Sequence, residues 1–335
     1  MKVLHLCAFL ACLSSPAMAE NVSVVEQVGT WNSVEVDQQG DSSHHKSNIL
    51  QGGTEQSATV VQRGESTQSA SFIEQSGSAN GAEVLQDSHE GLVTAKVMQN
   101  GNGNRATFNQ RNNPGVQISA ALDQIGDANE ATVLQENLAL SGSATTFIRQ
   151  SGIGNKADTR QRGGSDLLGT ISVDQNGEGN VATFLQELTG AVVLGRILQI
   201  GDGNVADVGQ NMMTTSSAEA NISQEGSSNS GDIRQTPGFE GRAISSINQE
   251  GVGNRAVTRQ EVAFGLAQST VFENGSGNIV DIGQFGLVGS QLSDISIAGD
   301  DNHYTIVQGA SGIESHNRSA IIVSGTGNNA TIAQQ

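Results

Sequence analysis

Polar and apolar residues alternate along this chain in short runs that return every 24 to 26 residues. The stretch from Gln99 to Gln110, QNGNGNRATFNQ, shows the unit. With its first Gln as position 0, Gly stands at +2, Asn at +5, Ala or Val at +7, a β-branched residue or Phe at +9, and Gln at +11. Thirteen copies align, with position 0 at Gln27, Gln51, Gln75, Gln99, Gln124, Gln150, Gln175, Gln199, Gln224, Gln249, Glu273, Ile297 and Val323. Position −2 is a branched aliphatic in every copy, from Val25 and Ile49 to Ile295 and Ile321, and −4 is mostly Ser, Ala or Thr. The residues between range over Glu26, Phe72, Lys96, Arg149 and Asp174. Alternation with a period of two marks a strand with one buried face. The pattern resumes after the glycine, where +5, +7, +9 and +11 are uniform while +6 and +8 carry Thr, Asp, Glu, Arg and Lys.

Each repeat therefore predicts a strand ending at position 0, a turn over +1 to +4, a second strand over +5 to +11, and a connector of six to eight variable residues. The two prolines beyond the leader, Pro114 and Pro237, fall in such connectors, where no ladder hydrogen bond is lost. A lone two-stranded unit is marginal in water, so the copies must stack, like residue over like. The expected fold is all-β, a β-solenoid of about thirteen strand-turn-strand coils, on the order of 60 Å long at ~4.8 Å per coil.

The stack gives the amides their meaning. By parity they face inward with the aliphatics, where an unpaired amide costs roughly 1 to 3 kcal/mol. A column of identical amides bonds to itself instead. The expected ladders comprise Gln27, Asn32 and Gln38 in the first coil, then Gln75, Asn80 and Gln86, and Gln99, Asn104 and Gln110. They continue with Gln124, Asn129 and Gln135, with Gln150, Asn155 and Gln161, and with Gln175, Asn180 and Gln186. Next come Gln199, Asn204 and Gln210, then Gln224, Asn229 and Gln235, and then Gln249, Asn254 and Gln260. Gln56 is the one departure from Asn at +5. A slip of one residue would expose the aliphatics and bury the charges, so register is strongly specified. Turn glycines are expected at Gly29, Gly77, Gly101, Gly126, Gly152, Gly177, Gly201, Gly226 and Gly251, and seven copies have a second Gly at +4, as a turn with positive φ requires.

A length of 335 residues would ordinarily suggest two domains, but an array counts repeats instead. One array is expected over residues 20–335, with repeat cores starting near 21, 45, 69, 93, 118, 144, 169, 193, 218, 243, 267, 291 and 317. Aromatics at 3% argue against a large aromatic core. Residues 1–19 read as a secretory signal: Lys2, an apolar run from Val3 to Leu13, and Ala17-Met18-Ala19 before the expected cleavage. Cys7 and Cys12 both lie there, so no disulfide is expected in the mature chain; Cys12 as a lipid-attachment site is disfavoured by the short apolar run before it. No later run reaches the ~18 apolar residues of a membrane span. Of 16 basic residues only Lys2 falls in the signal, which leaves the mature chain at −19 against 34 acidic residues and argues against a nucleic-acid partner.

Nothing in the pattern calls for catalysis, a metal or a cofactor. His44-His45 with Asp41 nearby sits in a connector and reads as loop solvation; His89, His303 and His316 have no partner at ligand spacing. Asp300-Asp301-Asn302 lacks the glycine-rich nonapeptide of calcium-binding β-rolls. The acids at +8, Glu35, Glu83, Asp158, Asp207, Asp232 and Asp281, suit solvated strand faces better than a paired acid and base. The Gly-x-Gly elements join strand to strand and cradle no phosphate. Glu273, Ile297 and Val323 replace Gln in the last three copies, as drift or as a cap.

Written as Gln, four residues, Asn, five residues, Gln, with Gly at +2, the unit resembles the curlin repeat of bacterial curli fibres, over nearly the whole of residues 21–334. The resemblance implies a non-enzymatic structural subunit, secreted through the Sec pathway and periplasm, that assembles into extracellular functional amyloid for biofilm matrix and surface adhesion. Its implied partners are further copies of itself, other curlin-type subunits, and export or nucleation proteins. Three features depart from the family: Ser at −6 survives at Ser69 but is replaced by Val93, Ile118 and Ala144; the copies are more numerous; and the first strand follows the signal directly at Asn21. A nucleator or minor subunit is the alternative within the fold. A monomeric solenoid adhesin is the rival outside it, ahead of a β-helix polysaccharide enzyme, for which no carboxylate cluster is found.

Overall fold

The computed structural model describes residues 21–40, 44–64, 68–112, 115–137, 142–163, 167–188, 192–212, 216–309 and 315–334. The expected signal, with Cys7 and Cys12, and also Asp41 and Pro114 lie outside the described residues. Those described form 24 strands and no helix, so none could cross a membrane as one. Every strand pairing is parallel, and the chain is a parallel β-solenoid of about twelve turns.

Register follows the sequence period. The first strand of a repeat pairs with the first of the next, setting Gln75 beside Gln99 and Gly77 beside Gly101; the second pairs with the second, setting Gln86 beside Gln110. One apolar cluster draws on both stacks, with Ile73, Val97, Leu122 and Ile148 from position −2 against Ala106, Phe108, Ala131 and Val133 from +7 and +9. Size is matched across it. Phe184 fills +9 of its coil, and a Cβ at Gly195 would sit 1.7 Å from its ring.

Three expectations are corrected. The first strand does not end at position 0, nor does the turn span +1 to +4: Leu92–Asn102 runs on to +3, and the next strand starts at +6 with Arg105–Asn112. Only +4 and +5 interrupt the pairing, because the glycine at +2 bends the chain through a positive φ while staying in the ladder (Gly101, φ +129). Nor are all connectors spacers. Arg255–Ser276 and Ile279–Ala298 run straight from the second strand of one repeat into the first of the next, and pair with each other. Pro237 closes the strand Ser230–Pro237 opposite Val262, a terminal place where the missing N–H interrupts no continuing ladder.

Candidate functional site: stacked amides and open edges

Position 0 is buried from Gln51 to Gln249, at no more than 2% exposure. Each Gln there gives Nε2 to the Oε1 of the next coil: Gln27 to Gln51 at 2.7 Å, then Gln51 to Gln75, Gln75 to Gln99 and Gln99 to Gln124, each at 2.8 Å. The run goes on through Gln124, Gln150, Gln175, Gln199 and Gln224 to Gln249 at 2.8–2.9 Å. The second proton of Nε2 goes to the +6 carbonyl of the coil before, as from Gln75 to Ser57 at 3.0 Å. Position +11 repeats the scheme from Gln38 through Gln62, Gln86, Gln110, Gln135, Gln161, Gln186, Gln210, Gln235, Gln260, Gln284 and Gln308 to Gln334, at 2.8–3.0 Å. Here Nε2 also donates to the −5 carbonyl of its own coil, as from Gln110 to Thr94.

The asparagines at +5 run the other way. Asn104 gives both its backbone N–H and Nδ2 to Oδ1 of Asn80, and Nδ2 also reaches O of Gly126 in the next coil at 2.6 Å. Asn129, Asn155, Asn180, Asn204, Asn229 and Asn254 likewise donate their backbone N–H to Oδ1 of the Asn before. The asparagine column thus binds the carbonyls of the +2 glycines, tying turn to turn.

Those glycines are required twice over. Gly29, Gly77, Gly101, Gly126, Gly152, Gly177, Gly201, Gly226 and Gly251 all have φ between +107 and +129. In each a Cβ would meet the carbonyl oxygen of the glycine above at 1.8 to 2.1 Å. Position +4 is left-handed too, with φ near +65 at Gly103, Gly154 and Gly253, but nothing lies within 4 Å of a Cβ there. Accordingly Trp31, Glu55, Ala79, Ala128, Ser228 and Asp301 hold the same turn position with φ of 53 to 62.

Two polar residues depart from the columns, and Ile297 and Val323 end the one at position 0. Gln56 reaches the carbonyls of Gly52 and Gly77 with Nε2, but its longer side chain leaves Oε1 buried and unpartnered where an asparagine would accept from Asn80. Gln56→Asn is expected to join Asn32 to Asn80 and stabilise those coils by about 1 to 2 kcal/mol; slower hydrogen exchange at residues 46–63 is the measurement, and faster exchange would refute it. The second is Glu273, fully buried, which takes Nε2 of Gln249 on Oε2 at 2.7 Å and leaves Oε1 without a partner. Burial pushes its carboxyl up to about 7, only partly offset by the Gln249 bond. Raised above its ordinary range, the group stabilises the fold in full below about pH 4.5 and loses that contribution as pH climbs through about 7. From pH 4.5 to 8 the coils around it are expected to lose about 3 kcal/mol. Hydrogen exchange over residues 265–309 should show this in the native chain and not in Glu273→Gln; matching pH profiles would rule it out.

Other sequence candidates place as follows. His44 is exposed in its connector, but His45 is fully buried, with Nε2 on O of Gln39 at 3.3 Å and a lowered pKa from burial, which corrects the reading of His45 as solvated. His45 lies at −6, immediately before the strand Lys46–Thr54 and on its inward parity. The acids at +8 stand on the outer face, and several meet basic side chains: Asp207 and Asp232 with Arg234, Asp158 with Arg160, Asp281 with Arg259. Exposed pairs of this kind contribute less than about 1 kcal/mol each. Among the described residues no group of three or more His, Cys, Asp or Glu is placed to hold a metal ion.

Among the described residues both ends of the array are open. In the first strand, Val22–Thr30, the −2 residue Val25 is 41% exposed where its counterparts Ile49 and Ile73 are buried, and Trp31 beside it is 85% exposed. At the other end the inward Val323 and Ile332 are only partly covered, and Asn328 stands in solvent. Neither edge strand has an outer partner among the described residues. No protein-family profile matches this chain, and no curated protein is similar to it.

Proposed function

We propose that the chain is a secreted structural protein of curlin type, built of thirteen coils behind a cleaved signal, that assembles end to end into extracellular amyloid fibres of a biofilm matrix. The observation that carries this is the pair of open edges on columns whose members bond, coil after coil, to the like residue of the next. Each edge presents unpaired strand groups, half-covered aliphatics and, at +5 and +11, amides aligned for one more coil. An unpaired flat edge is a template for further strands, and in-register stacking of identical amides is the bonding of cross-β fibres. Net negative charge keeps dilute chains apart until an edge is met. The outer faces carry mixed single charges, Thr and scattered aliphatics with no common chemistry, which favours a structural role over ligand binding along a face.

Residues 20–335, purified and concentrated, are expected to form fibres that bind thioflavin T and show a cross-β spacing near ~4.8 Å. A solution that stays monomeric for weeks while retaining β-rich circular dichroism would overturn the assembly reading.

A further inference from the structure

The amide columns have a direction, and it leaves different chemistry at the two edges. Gln27 and Gln38 give Nε2 inward, to Gln51 and Gln62, so each turns its accepting Oε1 toward the open N-terminal side. Asn32 turns its backbone N–H the same way, since in later coils that group bonds Oδ1 of the preceding Asn, while its Nδ2 holds O of Val28 and O of Gly53, both at 3.3 Å. At the far edge Gln334 accepts from Gln308 and turns Nε2 outward, and Asn328 donates to Asn302, leaving Oδ1 outward. A second copy laid head to tail would thus match at two columns: Gln334 Nε2 meets Gln38 Oε1, and Asn328 Oδ1 meets the backbone N–H of Asn32.

It would fail at the third. The last two coils carry Ile297 and Val323 at position 0, in register with Glu273. An aliphatic side chain over Gln27 offers no proton to its Oε1, which the added coil would bury. Resting on the assembly reading above, we propose that the N-terminal edge is a docking surface that prefers another repeat chain whose last coil presents Gln at position 0 to a second copy of this one. The chemistry asked of that partner is specific: Gln over Gln27 and Gln38, Asn over Asn32, and aliphatics over Val25, Val34 and Val36, which are only partly covered at this edge.

Trp31 makes the preference measurable, being the only tryptophan in the chain and exposed beside Asn32. Soluble chain 20–335, below its assembly concentration, is titrated with two synthetic tryptophan-free peptides: residues 241–260, with Gln249 at position 0, and the same peptide with Gln249→Val. The Gln peptide is expected to shift Trp31 emission at about 10-fold lower concentration, as one hydrogen bond to a buried acceptor implies. On a Gln27→Val chain the order should reverse, the Val peptide now fitting an apolar position. Equal affinities, tighter Val peptide on the native edge, or no response to either overturns the proposal. Fibres without this preference leave the assembly reading standing and remove the partner preference; the preference without fibres does the reverse.

Discussion

Gly152→Ala is expected to open the array at its own coil, whereas Gly154→Ala, two residues along the same turn, should cost only about 1 kcal/mol. Both glycines have positive φ, so the left-handed strain is common to them. They differ in what lies above. A Cβ at Gly152 falls 2.1 Å from the carbonyl oxygen of Gly177, backbone that cannot move without separating two coils, whereas one at Gly154 meets nothing within 4 Å. Strain plus overpacking against backbone puts Gly152→Ala at about 4 kcal/mol. Hydrogen exchange across residues 142–188 is the measurement, since an array opens locally and a global midpoint would average the effect away. Comparable losses in the two variants would show that φ alone sets the glycine requirement.

Replacing Gln175 and Gln186 together by Leu should weaken the middle of the rod by about 5 kcal/mol, counting four stranded amide groups less the apolar surface that leucine buries. Gln150 would keep its bond to O of Glu130 but lose Oε1 of Gln175, and Gln199 would lose its donor. Gln161 and Gln210 would lose their partners in the other column. Because leucine is close to glutamine in volume and as apolar as the aliphatics around it, a simple apolar core would tolerate the exchange. Faster exchange in both neighbouring coils is the expected sign; unchanged exchange would mean that the ladders align coils without stabilising them.

Parity carried most of what the sequence disclosed. Inward residues lie an even number of places from position 0 in the first strand and, from +5 onward, an odd number in the second, and that count alone locates Ile73, Gln86, Asn104 and the misfit Glu273 in the interior. Carried two steps further it reaches His45 at −6 and Asn112 at +13, both buried and both missed because variable composition had assigned those places to connectors. The continuous strands through 255–276 and 279–298 were illegible for the same reason: nothing in Val262-Ala263-Phe264-Gly265 repeats elsewhere in the chain. The left-handed turn at +4 was half legible. Seven glycines announce it, but Trp31, Glu55 and Ala128 hide it, because the strain is small enough for tertiary pairing to override. The clash behind the +2 glycine could not be read at all, since it arises between coils and the sequence shows only one coil at a time.

The period varies while the columns do not. Gln51 reaches Gln75 across 24 residues and Gln124 reaches Gln150 across 26, both at 2.8 Å. Length added at a connector is thus absorbed outside the ladder, and axial position is set by the strand spacing of ~4.8 Å alone. The chain is in effect a ruler with interchangeable markings. Its outward positions form a one-dimensional lattice of fixed pitch, on which charge, bulk or a grafted peptide can be rewritten coil by coil without moving the graduations.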